Sequence, residues 1–397
     1  METLVPPLAR SSAEAVIPFS LDVPQAMLDD LASRLTRTRW PDKETVPDWS
    51  QGAPLGRMQN LVAHWRNGYD WRRCEAEINA WPNFRTLIDG LGIHFLHVRS
   101  AHAGALPMVL THGWPGTVVE FLKVIGPLTD PVQYGGSPED AFHLVIPSLP
   151  GYGFSDRAAA SGWTVERIAA AWATLMKRLG YTRYVAQGGD WGSAITRAMA
   201  VARPEGLAGI HLNFVACLPP DGESFSDAEA QDARDAAQSH KQWGLGYSTQ
   251  QSTRPQTLGY ALADSPVGQA AWIYEKFQAW TDNNGEPEDA LSFDAMVDNI
   301  MVYWLTNSAT SSARLYWESF WDSFRGDNTP VSLPTACSIF PRDIRRPPRQ
   351  WAEREFSNIT YWNRAAKGGH FAAFEQPEVF VAELRAGFRT MREGHSE

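Results

Sequence analysis

The sequence is poor in cysteine, in positive charge and in long apolar runs, and each shortage excludes a class of protein. Its three cysteines, Cys74, Cys217 and Cys337, lie far apart without metal-ligand spacing, which argues against a disulfide framework or a cysteine-based zinc site. We therefore expect reduced thiols in a cytoplasmic protein. The formal net charge of −10 disfavours nucleic acid and anionic membranes as partners. No stretch approaches the roughly 18 apolar residues of a membrane span, and no signal peptide is apparent.

Short apolar runs alternate with amphipathic helical patterns over much of the chain. This alternation predicts an α/β fold whose mostly parallel sheet is covered by helices on both faces. The predicted strands are residues 92–98, 107–111, 142–146, 184–187, 333–340 and 359–362, and the predicted helices are 21–40, 61–71, 164–179, 193–201 and 378–391.

Two regions depart from this alternation. Residues 218–325 are helical and rich in Trp and Tyr, which predicts a helical lid inserted into a core of residues 91–217 and 326–397. Residues 1–90 are aromatic and irregular, and we expect them to form a meander that wraps the core. With 44% hydrophobic residues the chain can fill such a core.

The sharpest local pattern is Gly188-Gly-Asp-Trp-Gly192, between a predicted strand and a predicted helix. A cramped strand-to-helix turn needs small residues two positions before and after its central residue, whose side chain then projects outward. The usual central residue is a serine nucleophile, but here it is Asp190, and no serine of the chain has the G-x-S-x-G context. Asp190 is therefore a candidate nucleophile, although an aspartate here could simply cap the helix.

A carboxylate nucleophile forms an ester with carbon, and cleaving that ester requires a base and a supporting acid. His370 follows a late predicted strand within Lys367-Gly-Gly-His-Phe371, and it is the candidate base. Asp343 follows the preceding predicted strand and is the candidate acid that orients the imidazole. Glu353 and Glu355 are rivals for this role, but they lie in a polar helical stretch.

The segment Thr111-His-Gly-Trp-Pro-Gly116 follows a buried strand and fits a loop that supplies an oxyanion-hole amide. We expect the amides of Trp114 and Trp191 to be the two donors. The alternative is an ordinary turn rich in Gly and Pro.

Together these motifs resemble the microsomal-type epoxide hydrolases, and the resemblance covers nearly the whole chain. It rests on the N-terminal meander (19–42 and 65–99), His112-Gly-Trp-Pro-Gly116, the segment 146–155, Gly188–Gly192, 264–268, 275–277 and 368–374.

The resemblance implies an α/β-hydrolase fold and hydrolysis of an epoxide to a vicinal diol, with Asp190 as nucleophile, His370 as base and Asp343 as acid. Mammalian relatives carry Glu at the acid position, so the aspartate is a variant within the family's range. The resemblance also implies that two lid tyrosines, Tyr247 and Tyr316, donate hydrogen bonds to the epoxide oxygen. Membrane members of the family carry an N-terminal anchor, and because no such segment is apparent before the meander we expect a cytoplasmic enzyme.

We expect a small apolar epoxide as substrate and no metal or organic cofactor. The closest rival is a haloalkane dehalogenase, which shares the fold and an aspartate nucleophile but holds halide with N–H donors. The second rival is a non-catalytic binding protein, which would need none of Asp190, Asp343 and His370. The aromatic N-terminal arm is a candidate homodimer contact. Detoxification and natural-product biosynthesis are both open as biological roles.

Overall fold

A computed structural model describes residues 4–6, 8, 14–218, 228–324 and 329–392. The strands are β1 (Ile17–Phe19), β2 (Asn83–Ile88), β3 (Leu91–Val98), β4 (Leu106–Thr111), β5 (Phe142–Pro147), β6 (Tyr184–Gly188), β7 (Leu207–Leu212), β8 (Thr335–Ile339) and β9 (Ile359–Arg364). The helices are α1 (Gln25–Thr36), α2 (Leu55–Asn67), α3 (Trp71–Asn79), α4 (Leu122–Thr129), α5 (Val165–Arg178), α6 (Trp191–Ala202), α7 (Ala228–Ser239), α8 (Gly246–Thr253), α9 (Pro255–Asp264), α10 (Pro266–Trp280), α11 (Phe293–Leu305), α12 (Ala309–Phe324), α13 (Arg349–Ala352), α14 (Ala372–Glu375), α15 (Pro377–Gly387) and α16 (Arg389–Arg392).

The strands of the described residues form one sheet in the order β1-β2-β3-β5-β4-β6-β7-β8-β9. In this order, every neighbouring pair from β5 through β4 to β9 is parallel. The pairs β1-β2, β2-β3 and β3-β5 are antiparallel. Every residue of β6 and β8 is buried, as expected for parallel strands covered on both faces. The predicted mostly parallel α/β-hydrolase sheet is confirmed.

The N-terminal region extends the sheet and also packs on other helices. Its strands β1 and β2 add an antiparallel edge, and its helices α1, α2 and α3 contact α10 or α11. The helix predicted over residues 61–71 extends too far, because α2 ends at Asn67 and a new helix starts at Trp71, after Asp70. The Asp70 carboxylate accepts a hydrogen bond from the Arg72 amide and so caps α3.

The predicted lid region contains α7 to α12, between β7 and β8 in the chain. Its residues 219–227 and 325 lie outside the described residues, as do residues 326–328 of the predicted core, parts of the N-terminal arm and the last residues of the chain. The division into meander, core and lid remains a prediction. Among the helices of the described ranges, none has the length and apolar character needed to cross a membrane.

Candidate active site

The turn between β6 and α6 holds Asp190 in a strained backbone conformation, with φ 51° and ψ −125°. Such values are rare for a residue with a side chain, and they mark a turn that the surrounding packing enforces. A Cβ atom on Gly188 would lie 2.0 Å from the Gly192 carbonyl oxygen, and one on Gly192 would lie 2.0 Å from the Thr111 oxygen. Both glycines are therefore required by backbone packing, as the sequence pattern indicated.

The Asp190 carboxylate points away from its own helix. Its side chain caps no amide of α6, so helix capping does not account for the residue. Instead its Oδ1 atom accepts a hydrogen bond of 2.8 Å from the Trp114 amide, the first predicted oxyanion donor. A Cβ atom on Gly113 would lie 2.3 Å from the same Oδ1. The loop after β4 can therefore approach the carboxylate only because residue 113 has no side chain. The Trp191 amide begins α6 beside Asp190, and its role as second donor remains a prediction.

The structure brings the three predicted triad residues together. Asp343 follows β8 and His370 follows β9, at the carboxyl edge of the sheet where β6 delivers Asp190. The His370 Nδ1 atom lies 2.7 Å from Asp343 Oδ1, and its Nε2 atom lies 3.3 Å from Asp190 Oδ2. All three side chains are buried. This is the arrangement of a nucleophile, a base and an orienting acid.

The rival acids lie elsewhere. The Glu353 carboxylate is half exposed and pairs with Arg349 at 2.7 Å, and the Glu355 carboxylate lies 3.6 Å from Arg197. Neither contact involves His370, so the geometry favours Asp343.

The electrostatics of His370 follow from its two carboxylate neighbours. Burial by itself would lower the pKa of His370, but the charges and hydrogen bonds of Asp343 and Asp190 outweigh burial and raise the pKa to about 10. The imidazole is therefore protonated near neutral pH.

Tyr247 of α8 and Tyr316 of α12 both reach this site from the lid region. Their ring centroids lie 5.8 Å apart. Tyr247 stacks on Trp114 at 4.9 Å, and Tyr316 meets Trp191 edge-on at 4.8 Å. Burial raises the pKa of both phenols well above the ordinary value, so both stay protonated and can donate hydrogen bonds. Local sequence patterns alone do not distinguish these two from the other nine tyrosines.

Sequence reasoning also missed two buried glutamates near His370. Glu375 accepts hydrogen bonds from the amides of Asp282, Gly369 and Phe371, and so shapes the loop that carries His370. Burial raises its pKa to about 7 despite those hydrogen bonds. Its position at the end of the Gly368–Phe374 motif was the available signal. Glu120 lies on a 3₁₀ turn, Val118–Phe121, just after the His112–Gly116 motif.

A small cavity of about 20 Å³ lies beside the Asp190 carboxylate, lined among others by Glu120, Asn213 and His370. Its volume is about that of one water molecule. In the parts of the chain that the structure describes, no group of three or more His, Cys, Asp or Glu side chains is arranged to hold a metal ion.

Two family models match the chain: "Epoxide hydrolase N terminus" over residues 16–121 and "alpha/beta hydrolase fold" over residues 107–377. A protein of Stigmatella aurantiaca, described provisionally as an epoxide hydrolase, is 58% identical over 95% of this chain and 86% of its own length. Epoxide hydrolase 1 of Sus scrofa is 34% identical over 95% of this chain and 89% of its own length. The crystal structure of juvenile hormone epoxide hydrolase from the silkworm Bombyx mori superposes with a TM-score of 0.89, at 31% identity, over 98% of both chains.

Proposed function

Because this chain belongs to the epoxide hydrolase family of α/β-hydrolase-fold enzymes, we propose that it adds water to an apolar epoxide through a covalent ester on Asp190. The observation that carries the proposal is that the His370 imidazole contacts both Asp190 and Asp343. Asp190 itself lies on a strained turn.

In the first step, an Asp190 carboxylate oxygen attacks a ring carbon of the epoxide from the side opposite the C–O bond that breaks. The ring oxygen leaves with the bonding electron pair and becomes an alkoxide. Tyr247 and Tyr316 donate hydrogen bonds to that oxygen and supply the proton it takes up. Their burial supports this role, since hydrogen bonds to a developing charge are stronger where water is excluded.

In the second step, a water molecule attacks the ester carbonyl carbon of Asp190 while His370 takes its proton. The Trp114 amide, and we propose also the Trp191 amide, stabilises the oxyanion that forms. Collapse of this intermediate releases the diol and restores the Asp190 carboxylate. The scheme requires neither a metal nor an organic cofactor.

The pKa of His370 links the two steps. Before ring opening, the Asp190 charge helps to raise that pKa to about 10, so the imidazole is protonated. Ester formation neutralises Asp190 and removes this contribution, so the pKa of His370 falls. Esterification thereby converts the imidazolium into a base when a base is needed, once its proton has passed through solvent to the tyrosine that protonated the alkoxide.

We further propose that α7 to α12 form a lid whose aromatic side chains surround the apolar part of the substrate. The three cysteines are buried free thiols, which supports a reducing, cytoplasmic location. A homodimer built on the N-terminal arm stays a prediction that sedimentation velocity can check.

The decisive experiment is a single turnover with excess enzyme in heavy-oxygen water. The ester route delivers an unlabelled Asp190 oxygen to the first diol and leaves the label in Asp190. Label in that first diol, with none in Asp190, would mean direct attack by water and would overturn the proposal.

A further inference from the structure

The Glu120 side chain is a buried carboxyl group that the reaction described above does not use. It is 9% exposed, and within the described ranges it makes no hydrogen bond or ion pair with another residue. An unpartnered buried carboxyl group is costly unless a bound molecule satisfies it. The polar side chains that line the same cavity include those of Asp190, Asn213 and His370.

The chain holds Glu120 at this place by several specific contacts. A Cβ atom on Gly116 would lie 2.7 Å from a Glu120 carboxyl oxygen, so Gly116 leaves the room that the carboxyl group fills. The Thr117 hydroxyl caps the turn by accepting from the Val119 amide at 3.2 Å, and it donates to Asn299 at 2.9 Å.

Two side chains of helix α11 form hydrogen bonds with the backbone of the same loop. The Asn299 amide group donates to the Pro115 carbonyl at 2.7 Å, and the Tyr303 hydroxyl donates to the Gly116 carbonyl at 3.0 Å. The loop that carries the Trp114 amide and the turn that carries Glu120 are thus anchored as one unit.

From this geometry we infer that Glu120 is a positioning residue for the hydrolytic water, which it holds between its own carboxyl group and His370 for attack on the Asp190 ester. The cavity has room for about one water, and that water would have the polar partners that a buried water requires. The inference rests on the proposed function, because it names the residue that orients the second reactant.

The proton balance of the step leaves Glu120 unchanged. One water proton passes to His370 as the water oxygen bonds to the ester carbon. The other O–H bond donates a hydrogen bond to a Glu120 oxygen and does not break. Burial raises the pKa of Glu120 to about 8, so at neutral pH the group is mainly a neutral acid that accepts through its carbonyl oxygen.

This role makes a prediction that separates the two steps. Glu120→Met keeps much of the side-chain volume but removes both oxygens. We expect ester formation to stay within about threefold of the wild-type rate, while ester hydrolysis slows by about 10- to 100-fold, as for loss of a reactant-positioning contact. Glu120→Gln retains a carbonyl oxygen and should restore most of the hydrolysis rate lost in Glu120→Met.

The test is a rapid-quench time course with styrene oxide, in which mass spectrometry of the intact protein follows ester appearance and decay. Glu75→Met is the matched control, because Glu75 is another buried glutamate whose carboxylate accepts hydrogen bonds from Val23, Trp71 and Arg72. It should lower the melting temperature without changing the ratio of the two rates. If Glu120→Met fails to fold, Glu120→Ala serves for the same comparison.

Each outcome bears on the inference. Ester accumulation in Glu120→Met, reversed in Glu120→Gln, supports it. Equal loss of both rates, an unchanged hydrolysis rate, or a Glu120→Gln variant as slow as Glu120→Met overturns it and leaves the ester mechanism standing. The absence of any ester in every variant, including His370→Gln, would instead refute the proposed function itself.

Discussion

The Nε2 atom of His370 lies 3.3 Å from the Oδ2 atom of Asp190. The proposed base is therefore next to the carboxyl group whose ester it must hydrolyse. The proximity has an electrostatic consequence as well as a geometric one. The two groups hold opposite charges before ring opening and lose that attraction once Asp190 becomes an ester.

Replacing His370 by Gln should trap the ester. The variant keeps the Asp190 nucleophile but has no base, so hydrolysis should slow by roughly 100- to 10,000-fold. Intact-protein mass spectrometry should then show a gain of one substrate mass. The double variant His370→Gln with Asp190→Asn is the control, and an adduct of equal yield there would place the ester on another residue.

Replacing Tyr247 or Tyr316 by Phe should slow ring opening by about 10- to 100-fold each, because a hydrogen bond to a developing alkoxide is lost. Ester hydrolysis should change little. Tyr184→Phe is the control, since that buried hydroxyl has no partner among the described residues. If Tyr316→Phe leaves epoxide opening unaffected and the enzyme releases halide from haloalkanes, the dehalogenase alternative is correct.

Asp343→Asn should impair hydrolysis far more than ester formation. The buried Asp343 Oδ1 accepts from His370 Nδ1, and an amide there would favour the imidazole tautomer that cannot take a proton at Nε2. A loss of up to about 10,000-fold is typical of such a change. Asp343→Glu restores a carboxylate and should recover part of the rate. Quenched-flow measurement of both steps checks this, and equal losses in Asn and Glu variants would contradict it.

Gly113→Ala should lower the rate of ring opening by displacing Asp190, although it replaces none of the side chains that take part in the chemistry. The added methyl group would lie 2.3 Å from Asp190 Oδ1, so the carboxylate or the Trp114 loop must move. A displacement of about 1 Å costs roughly 100-fold in rate. Gly104→Ala is the control, because nothing lies within 4 Å of its new methyl group. Full activity of folded Gly113→Ala would show that the close approach is unimportant.

The buried Glu120 and His370 sites should each make the protein less stable as the pH rises, because the folded state retains a proton at each site that the unfolded chain loses. Burial raises the pKa of Glu120 from 4.5 to about 8, so this site costs stability progressively between those pH values. The pKa of His370 is raised from 6.5 to about 10, so its stabilising contribution is complete below about pH 6.5 and is lost towards pH 10.

Glu120→Gln should therefore have a higher free energy of unfolding than the wild type above pH 8, with the difference vanishing near pH 4.5. His370→Gln should show a flatter decline between pH 6.5 and 10. Urea denaturation at several pH values measures both. Glu378→Gln, at an exposed position, is the control, and a pH-independent difference for Glu120→Gln would contradict the assignment.

Local sequence patterns predicted most of the sheet and the elbow, because they report local backbone requirements. Short apolar runs identified β3 to β6, and the glycines around Asp190 marked a turn that tolerates no side chains. Other elements were predicted less well: the helix predicted over residues 378–391 is divided at Phe388, and β1, β2 and β7 were not identified.

The sequence by itself determined the fold class and selected Asp190, His370 and Asp343 as candidate catalytic residues, since each follows a strand of recognisable pattern and their order along the chain matches the fold. Only the tertiary structure decided that Glu120 faces the same cavity as His370 and that Tyr247 and Tyr316 lie side by side against Trp114 and Trp191. Such convergence depends on strand order and on how helices from distant parts of the chain pack, and no local pattern of residues encodes it.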